Sequence, residues 1–167
     1  MTDPFISQLP NSQCGWFVRG LMTEEDKLYR WGGQGIILID GVPGEFYDCS
    51  GLIVAKLIAS GRYKGPDLNS AALYNTFGKG DAVLAVSNLN FTMGSNARAG
   101  ALFFWASDPS KPSTIFHVAA SLGSGIMIEA GGGNSQTDTV AEAVTKQAMV
   151  RVVPFRPCHF ACDPFPA

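Results

Sequence analysis

The chain predicts an α+β fold in which one buried helix, starting at a cysteine, packs on a small antiparallel sheet. Three observations carry this. The run Cys49 to Ser60 is proline-free and apolar nearly all round. Five short strand-like runs fill the second half of the chain. Its 19 glycines and 10 prolines are scattered with no repeat period, as in strand-and-turn folds rather than solenoids.

Taken in order, the stretch Cys14 to Leu28 gives no clear helical pattern, and residues 35–46, GIILIDGVPGEF, are apolar and glycine-containing without a clear element. The helix follows. Asp48 is a good N-cap residue, Cys49 opens the helix, and Gly61 is a natural stop. A helix apolar on every side is a buried one. The middle of the chain is ambiguous. Beyond it, strands are predicted at Ala82 to Val86, Ala101 to Trp105, Ile115 to Leu122, Ile126 to Ala130 and Met149 to Val153. Between Thr137 and Gln147, helix-favouring residues after Asp138 point to a short helix.

With 167 residues, 46% of them hydrophobic, the chain has the size and core material of one domain spanning 1–167. Lys and Arg number 12 against 14 Asp and Glu, a formal charge of -2. That balance offers no basic excess to neutralise phosphates, so nucleic acid is not an expected partner. No stretch reaches the roughly 20 apolar residues of a membrane span. The opening residues, MTDPFISQLPNS, lack the basic-then-apolar layout of a secretory leader. Cys14, Cys49, Cys158 and Cys162 do not form paired C-x-x-C knuckles, so no metal is expected. Cys158 and Cys162, which bracket His159, read as inert or disulfide-forming thiols.

Cys49 is placed for chemistry. At a helix start, free amide donors and the positive end of the helix dipole stabilise a thiolate. Ser50 and Gly51, being small, leave room for a substrate. A buried free cysteine is often only a small hydrophobe, but a second constellation lies downstream. Residues 116–130 read as a β-hairpin turning at Gly123-Ser124-Gly125. With a three-residue loop from Leu122 to Ser124, His117 lies directly opposite Glu129 on one face; a two-residue loop would put them on opposite faces. A carboxylate beside an imidazole fixes its tautomer and stabilises the imidazolium, the third-member role in a Cys-His-acid triad.

The order of motifs is Tyr29-Arg30-Trp31-Gly32-Gly33, Asp48-Cys49-Ser50-Gly51-Leu52, Arg98-Ala99-Gly100-Ala101-Leu102-Phe103-Phe104, then His117-Val118 and Met127-Ile128-Glu129-Ala130. Over residues 29–130 this resembles the NlpC/P60 family of cell-wall cysteine peptidases. The resemblance implies a papain-like fold, no cofactor, and hydrolysis of the D-glutamyl to diamino-acid bond in peptidoglycan stem peptides. Residue by residue, it implies Cys49 as nucleophile, His117 as general base and Glu129 as the residue that orients it. Tyr29, in the motif that also holds Trp31, matches the family tyrosine that lines the site and helps hold the oxyanion. Asp48 and Ser50 match positions that help bind the free amino end of the stem peptide. A glutamate at position 129 is similar to the pattern of mycobacterial wall endopeptidases and some actinobacteriophage lysins.

The chain also departs from the family. The usual G-D-L is Gly100-Ala101-Leu102 here, residues 35–46 are longer than usual, and the helix preceding the tyrosine motif is hard to see. The expected setting is the bacterial wall, acted on by a monomer that is phage-encoded, injected or trimmed of a leader. Alternatives are an N-acetylmuramoyl-L-alanine amidase-type cut on the same scaffold, a non-catalytic wall-binding or virion-structural module, and an acyltransferase of the lecithin-retinol type. In that acyltransferase the histidine precedes the cysteine, which this order disfavours.

Overall fold

The computed structural model describes residues 11–39, 41–89 and 97–166. Helix α1, Gln13–Met22, is capped by the Ser12 hydroxyl, which accepts from the Gly15 amide at 3.2 Å. This helix was not legible in the sequence, because Gly15 and Gly20 each cost about 1 kcal/mol against alanine in a helix interior. Its Phe17, Val18 and Leu21 are fully buried, so packing supplies what propensity withholds.

Residues 35–39 and 42–46, without a predicted element, form the paired strands of an antiparallel hairpin, β1, Gln34–Ile39, and β2, Val42–Tyr47. Ile36 and Leu38 lie on its outward face, 76% and 69% exposed. Helix α2, Cys49–Ala59, matches the expected span and cap: the Asp48 carboxylate accepts from the Gly51 amide at 2.7 Å. A second short helix, α3, Ser70–Phe77, occupies the ambiguous middle behind an Asn69 cap.

A six-stranded antiparallel sheet follows. Its strands are β3, Val83–Leu84; β4, Leu102–Ala106; β5, Ile115–Gly123; β6, Ile126–Gly131; β7, Met149–Pro154; and β8, Phe160–Cys162, in the order β3-β8-β4-β5-β6-β7. The predicted strand at 82–86 is corrected to two residues, set between 3₁₀ turns at Gly80–Ala82 and Val86–Asn88. The short helix near the end is α4, Val140–Lys146, closed by a capping box of Thr139 and Glu142.

Helix α2 packs on α1, α3, β5 and β6. Its Leu52, Ile53 and Leu57 share one core with Phe104, Val118, Ala120 and Ile128 of the sheet. The opposite sheet face is also covered. Phe103 and Trp105 of β4 pack there with Met127, Phe155 and Cys158, and the Phe103 and Phe155 rings meet edge-on at 4.2 Å. Burial on both faces explains why β4 reads as a continuous apolar run instead of an alternating one.

The β5–β6 hairpin differs from its predicted geometry. Gly123 pairs with Ile126, leaving a two-residue turn of Ser124 and Gly125, both at positive φ (52° and 78°). Such turns match the twist of the flanking strands. By itself this turn would set His117 and Glu129 on opposite faces. The register shifts by one residue between Ser121 and Gly123, so that Ala120 faces Ile128 and Ser121 faces Met127. This bulge restores the parity. Continuing the register, Glu129 stands opposite Ala119, and His117 lies one diagonal step away on the same face.

Candidate active site

The Cys49 thiol sits at the first turn of α2, buried, with its Sγ 3.5 Å from the Ser70 hydroxyl and 3.9 Å from the Phe116 carbonyl. Asp48 ties this turn to the tyrosine-motif loop. One carboxylate oxygen accepts from the Gly51 amide and from the Ser50 hydroxyl at 3.2 Å; the other accepts from the Gly32 amide at 2.8 Å. Burial pushes the Asp48 carboxyl upward against these bonds. The smallness of Gly51 serves the fold and not substrate entry, a correction to the expectation above. A Cβ there would stand 2.0 Å from the Gly33 carbonyl oxygen, the same oxygen that accepts from the Asp48 amide at 3.0 Å.

His117 reaches the site from β5. Its Nε2 lies 2.6 Å from Glu129 Oε2, leaving Nδ1 as the nitrogen for Cys49. Burial disfavours the charged ring, but hydrogen bonds to Cys49 and Glu129 outweigh it and push the imidazole up to about 9. Glu129 is 1% exposed. Its burial cost is more than offset by His117 and Arg156, which hold the carboxyl well below the usual range. It also accepts from Arg151 Nε and Nη2 at 3.2 and 3.1 Å, and from Arg156 Nη2 at 2.7 Å. Gly131 makes room for this cluster, since a Cβ there would meet Glu129 Oε1 at 2.7 Å.

Cys49, His117, Tyr29 and Trp31 line one cavity of about 260 Å³, together with the backbone of residues 130–133. On the other side of Cys49, a cavity of about 410 Å³ is lined by Asp48, Ser50, Asp67, Asn69 and Ser70. Trp31 and Phe116, 51% and 64% exposed, border both cavities and flank the thiol between them. Tyr29 is buried, and that burial raises its phenol, with Cys49 and Asp48 adding to the effect. Of the residues expected at the site, only Glu129 does not line the cleft; it stands behind His117.

Ser70, Phe116, Arg151 and Arg156 were missed in the sequence. Ser70 and the two arginines lie more than twenty residues from the groups they touch, and no local pattern marks them. Phe116 adjoins His117, so its position was visible though its role was not. The second histidine is structural, with His159 Nδ1 accepting from the Ala106 amide at 2.9 Å where the β4 register shifts. Cys14, Cys49, Cys158 and Cys162 are all free. Burial pushes the Cys158 and Cys162 thiols up to about 11 and 12, which suits inert thiols. Among the described residues, no cluster of His, Cys, Asp or Glu could hold a metal. None of their helices is long and apolar enough to cross a membrane.

The raised His117 value has a consequence for stability. Relative to the ordinary imidazole value of 6.5, its stabilising contribution is fully present below about pH 6.5 and is lost as pH climbs through about 9. Thermal unfolding across this range is expected to show falling stability in the wild type. His117→Gln should lack that component; an unchanged slope in the variant would count against the imidazolium–carboxylate pair.

A cysteine at a helix start, facing a strand histidine backed by an acid, defines the papain-like class. The NlpC/P60 family model matches residues 26–154, and the chain belongs to that family. No curated protein matches. Among solved structures, the chain resembles the peptidoglycan hydrolase RipB of Mycobacterium tuberculosis with a TM-score of 0.63 and 23% identity, covering 100% of this chain and 74% of that one. It also resembles the P60 domain of a Mycobacterium avium subspecies paratuberculosis antigen, with a TM-score of 0.62 and 22% identity over 93% and 96% of the two chains. Mycobacterium tuberculosis RipD, described as a non-catalytic NlpC/p60 domain protein adapted to peptidoglycan binding, superimposes with a TM-score of 0.59 and 21% identity over 92% and 98%. At these identities the likeness is one of fold.

Proposed function

We propose that this chain, acting as one catalytic domain, is a cysteine endopeptidase of peptidoglycan that cleaves the D-glutamyl to diamino-acid bond of stem peptides. The observation that carries the reading is His117, whose Nε2 is bonded to Glu129 at 2.6 Å while the ring shares a cleft with Cys49. That arrangement supports an imidazolium beside the Cys49 nucleophile. The non-catalytic behaviour described for RipD leaves open a binding role for the fold, but a buried carboxylate holding the imidazole is an arrangement suited to turnover.

In the proposed cycle the Cys49 thiolate attacks the amide carbonyl. The oxyanion is held by the Cys49 backbone N–H, one of the amides left open at a helix start, and by Tyr29. His117 gives its proton from Nδ1 to the departing amine, then takes one from the water that releases the acyl group. The larger half of the cleft, with Asp48 and Asp67 among its lining groups, suits a cationic amino terminus. The substrate's acyl side therefore lies there, and the departing diamino acid lies over residues 130–133.

The experiment is digestion of purified peptidoglycan of known stem chemistry, followed by mass spectrometry of the muropeptides. The expected products carry a new D-glutamyl carboxylate and a free diamino-acid amine. Release of intact stem peptides from the glycan would instead establish an amidase-type cut and overturn the bond assignment.

A further inference from the structure

The catalytic reading accounts for His117 and Glu129 but leaves two arginines unexplained. Arg151 is the direct cross-strand neighbour of Glu129, on β7, and bonds only to Oε1. Arg156, just beyond β7, is different. Its Nη2 donates at 2.7 Å to Oε2, the oxygen that also meets His117 Nε2. Its guanidinium lies 4.4 Å from the centre of the Trp105 ring. Trp105 is in turn the cross-strand partner of His117 on β4, their rings 5.4 Å apart. Trp105 itself is pinned by its indole N–H, which donates to the Pro157 carbonyl at 2.6 Å. Arg156 thus touches both groups that fix the imidazole, one by hydrogen bond and one by stacking.

We propose that Arg156 is a positioning residue that, through Glu129 and Trp105, sets the orientation and the proton affinity of His117. A buried carboxylate with no other partner would hold the imidazolium too tightly for a group that must give up its proton to a leaving amine. Two guanidinium groups on Glu129 change the local balance from one negative charge to one positive. They weaken that hold while keeping the carboxylate ionised. The groups facing His117 are Cys49 from α2, Tyr29 from the cavity wall, Trp105 from β4 and Glu129 from β6, with Arg151 and Arg156 bearing on it through Glu129. Arg156 shares the oxygen that His117 uses, so its loss should be felt more than that of Arg151.

This inference rests on the reading of Cys49 and His117 as a hydrolytic pair, and a measurement that needs no substrate keeps the two separable. The His117 ring is titrated by NMR in the full chain, with His159 as internal reference, for the wild type, Arg156→Met, Arg156→Lys and Arg151→Met. Hydrolysis of a soluble stem-peptide substrate is followed over the same pH range. With Arg156→Met, the His117 midpoint and the alkaline limb of activity should move up together by about half to one pH unit. Its kcat should fall about tenfold with KM unchanged, a part of what general acid–base catalysis supplies. Arg156→Lys should return the midpoint to the wild-type value, and Arg151→Met should move it less than Arg156→Met does. A His117 titration in Arg156→Met that superimposes on the wild type overturns the proposal, and so does an equal shift in Arg151→Met. A wild type inert on peptidoglycan sinks the hydrolase reading alone, because the His117 midpoint still reports on Arg156.

Discussion

Cys49→Ala is expected to abolish digestion of peptidoglycan while leaving the fold in place. The thiol is the only atom removed, and its neighbours tolerate the loss. The sulfur's contacts with Ser70 Oγ at 3.5 Å and with the Phe116 carbonyl at 3.9 Å are long, and the α2 cap is made by Asp48, not by Cys49. Alanine is also the best helix former. The thermal midpoint should therefore change little, whereas turnover should drop by several orders of magnitude, about what removing a nucleophile costs elsewhere. Labelling with a small thiol-directed reagent supplies a control, because Cys158 and Cys162 are buried with raised thiols. Residual activity within tenfold of the wild type would make Cys49 a bystander.

Glu129→Gln should have the second largest effect, and it should strike stability and activity together. The glutamine keeps the shape and can still accept from His117 Nε2. It removes the anion shared by Arg151, Arg156 and the imidazolium. Breaking a buried ion pair on one side costs roughly 3–5 kcal/mol, here reduced because both guanidinium groups are partly exposed and can turn to water. His117 would lose the anion that stabilises its imidazolium, so kcat should fall about 10²- to 10⁴-fold. The direction of the pH effect is opposite to that expected for Arg156→Met. Without the carboxylate and with two cations left nearby, the imidazolium loses its proton at lower pH, and the alkaline limb moves down from about 9. Activity profiles and thermal midpoints of the variant test this; a variant with wild-type kcat and limb would remove Glu129 from the mechanism.

How much of this was legible in the sequence depended on how local each signal was. Helix α2 and its cap were readable because Asp48, an apolar run and Gly61 lie within a few residues of one another. The pairing of His117 with Glu129 was readable as an outcome but not as a route. The expected three-residue loop is a two-residue turn plus a bulge, which together keep Glu129 on the face of His117 but set it opposite Ala119, a diagonal step from the directly opposed position expected. Helix α1 was hidden by its two glycines, and α3 by its length of eight residues. Strands β1 and β2 form a hairpin of their own, outside the main sheet, and were not anticipated. Ser70, Arg151 and Arg156 reach the site through tertiary packing alone.

The bulge at Leu122 has a practical meaning for anyone altering the length of this hairpin. Leu122 is the one extra residue on β5 between Ser121, opposite Met127, and Gly123, opposite Ile126. Deleting it would close the bulge into a regular ladder and leave Glu129 on the side of His117. A residue added to the turn would lengthen the loop with both strands still paired. Single-residue changes between positions 121 and 126 are therefore expected to keep the catalytic pair in place, and such length variants serve as active controls.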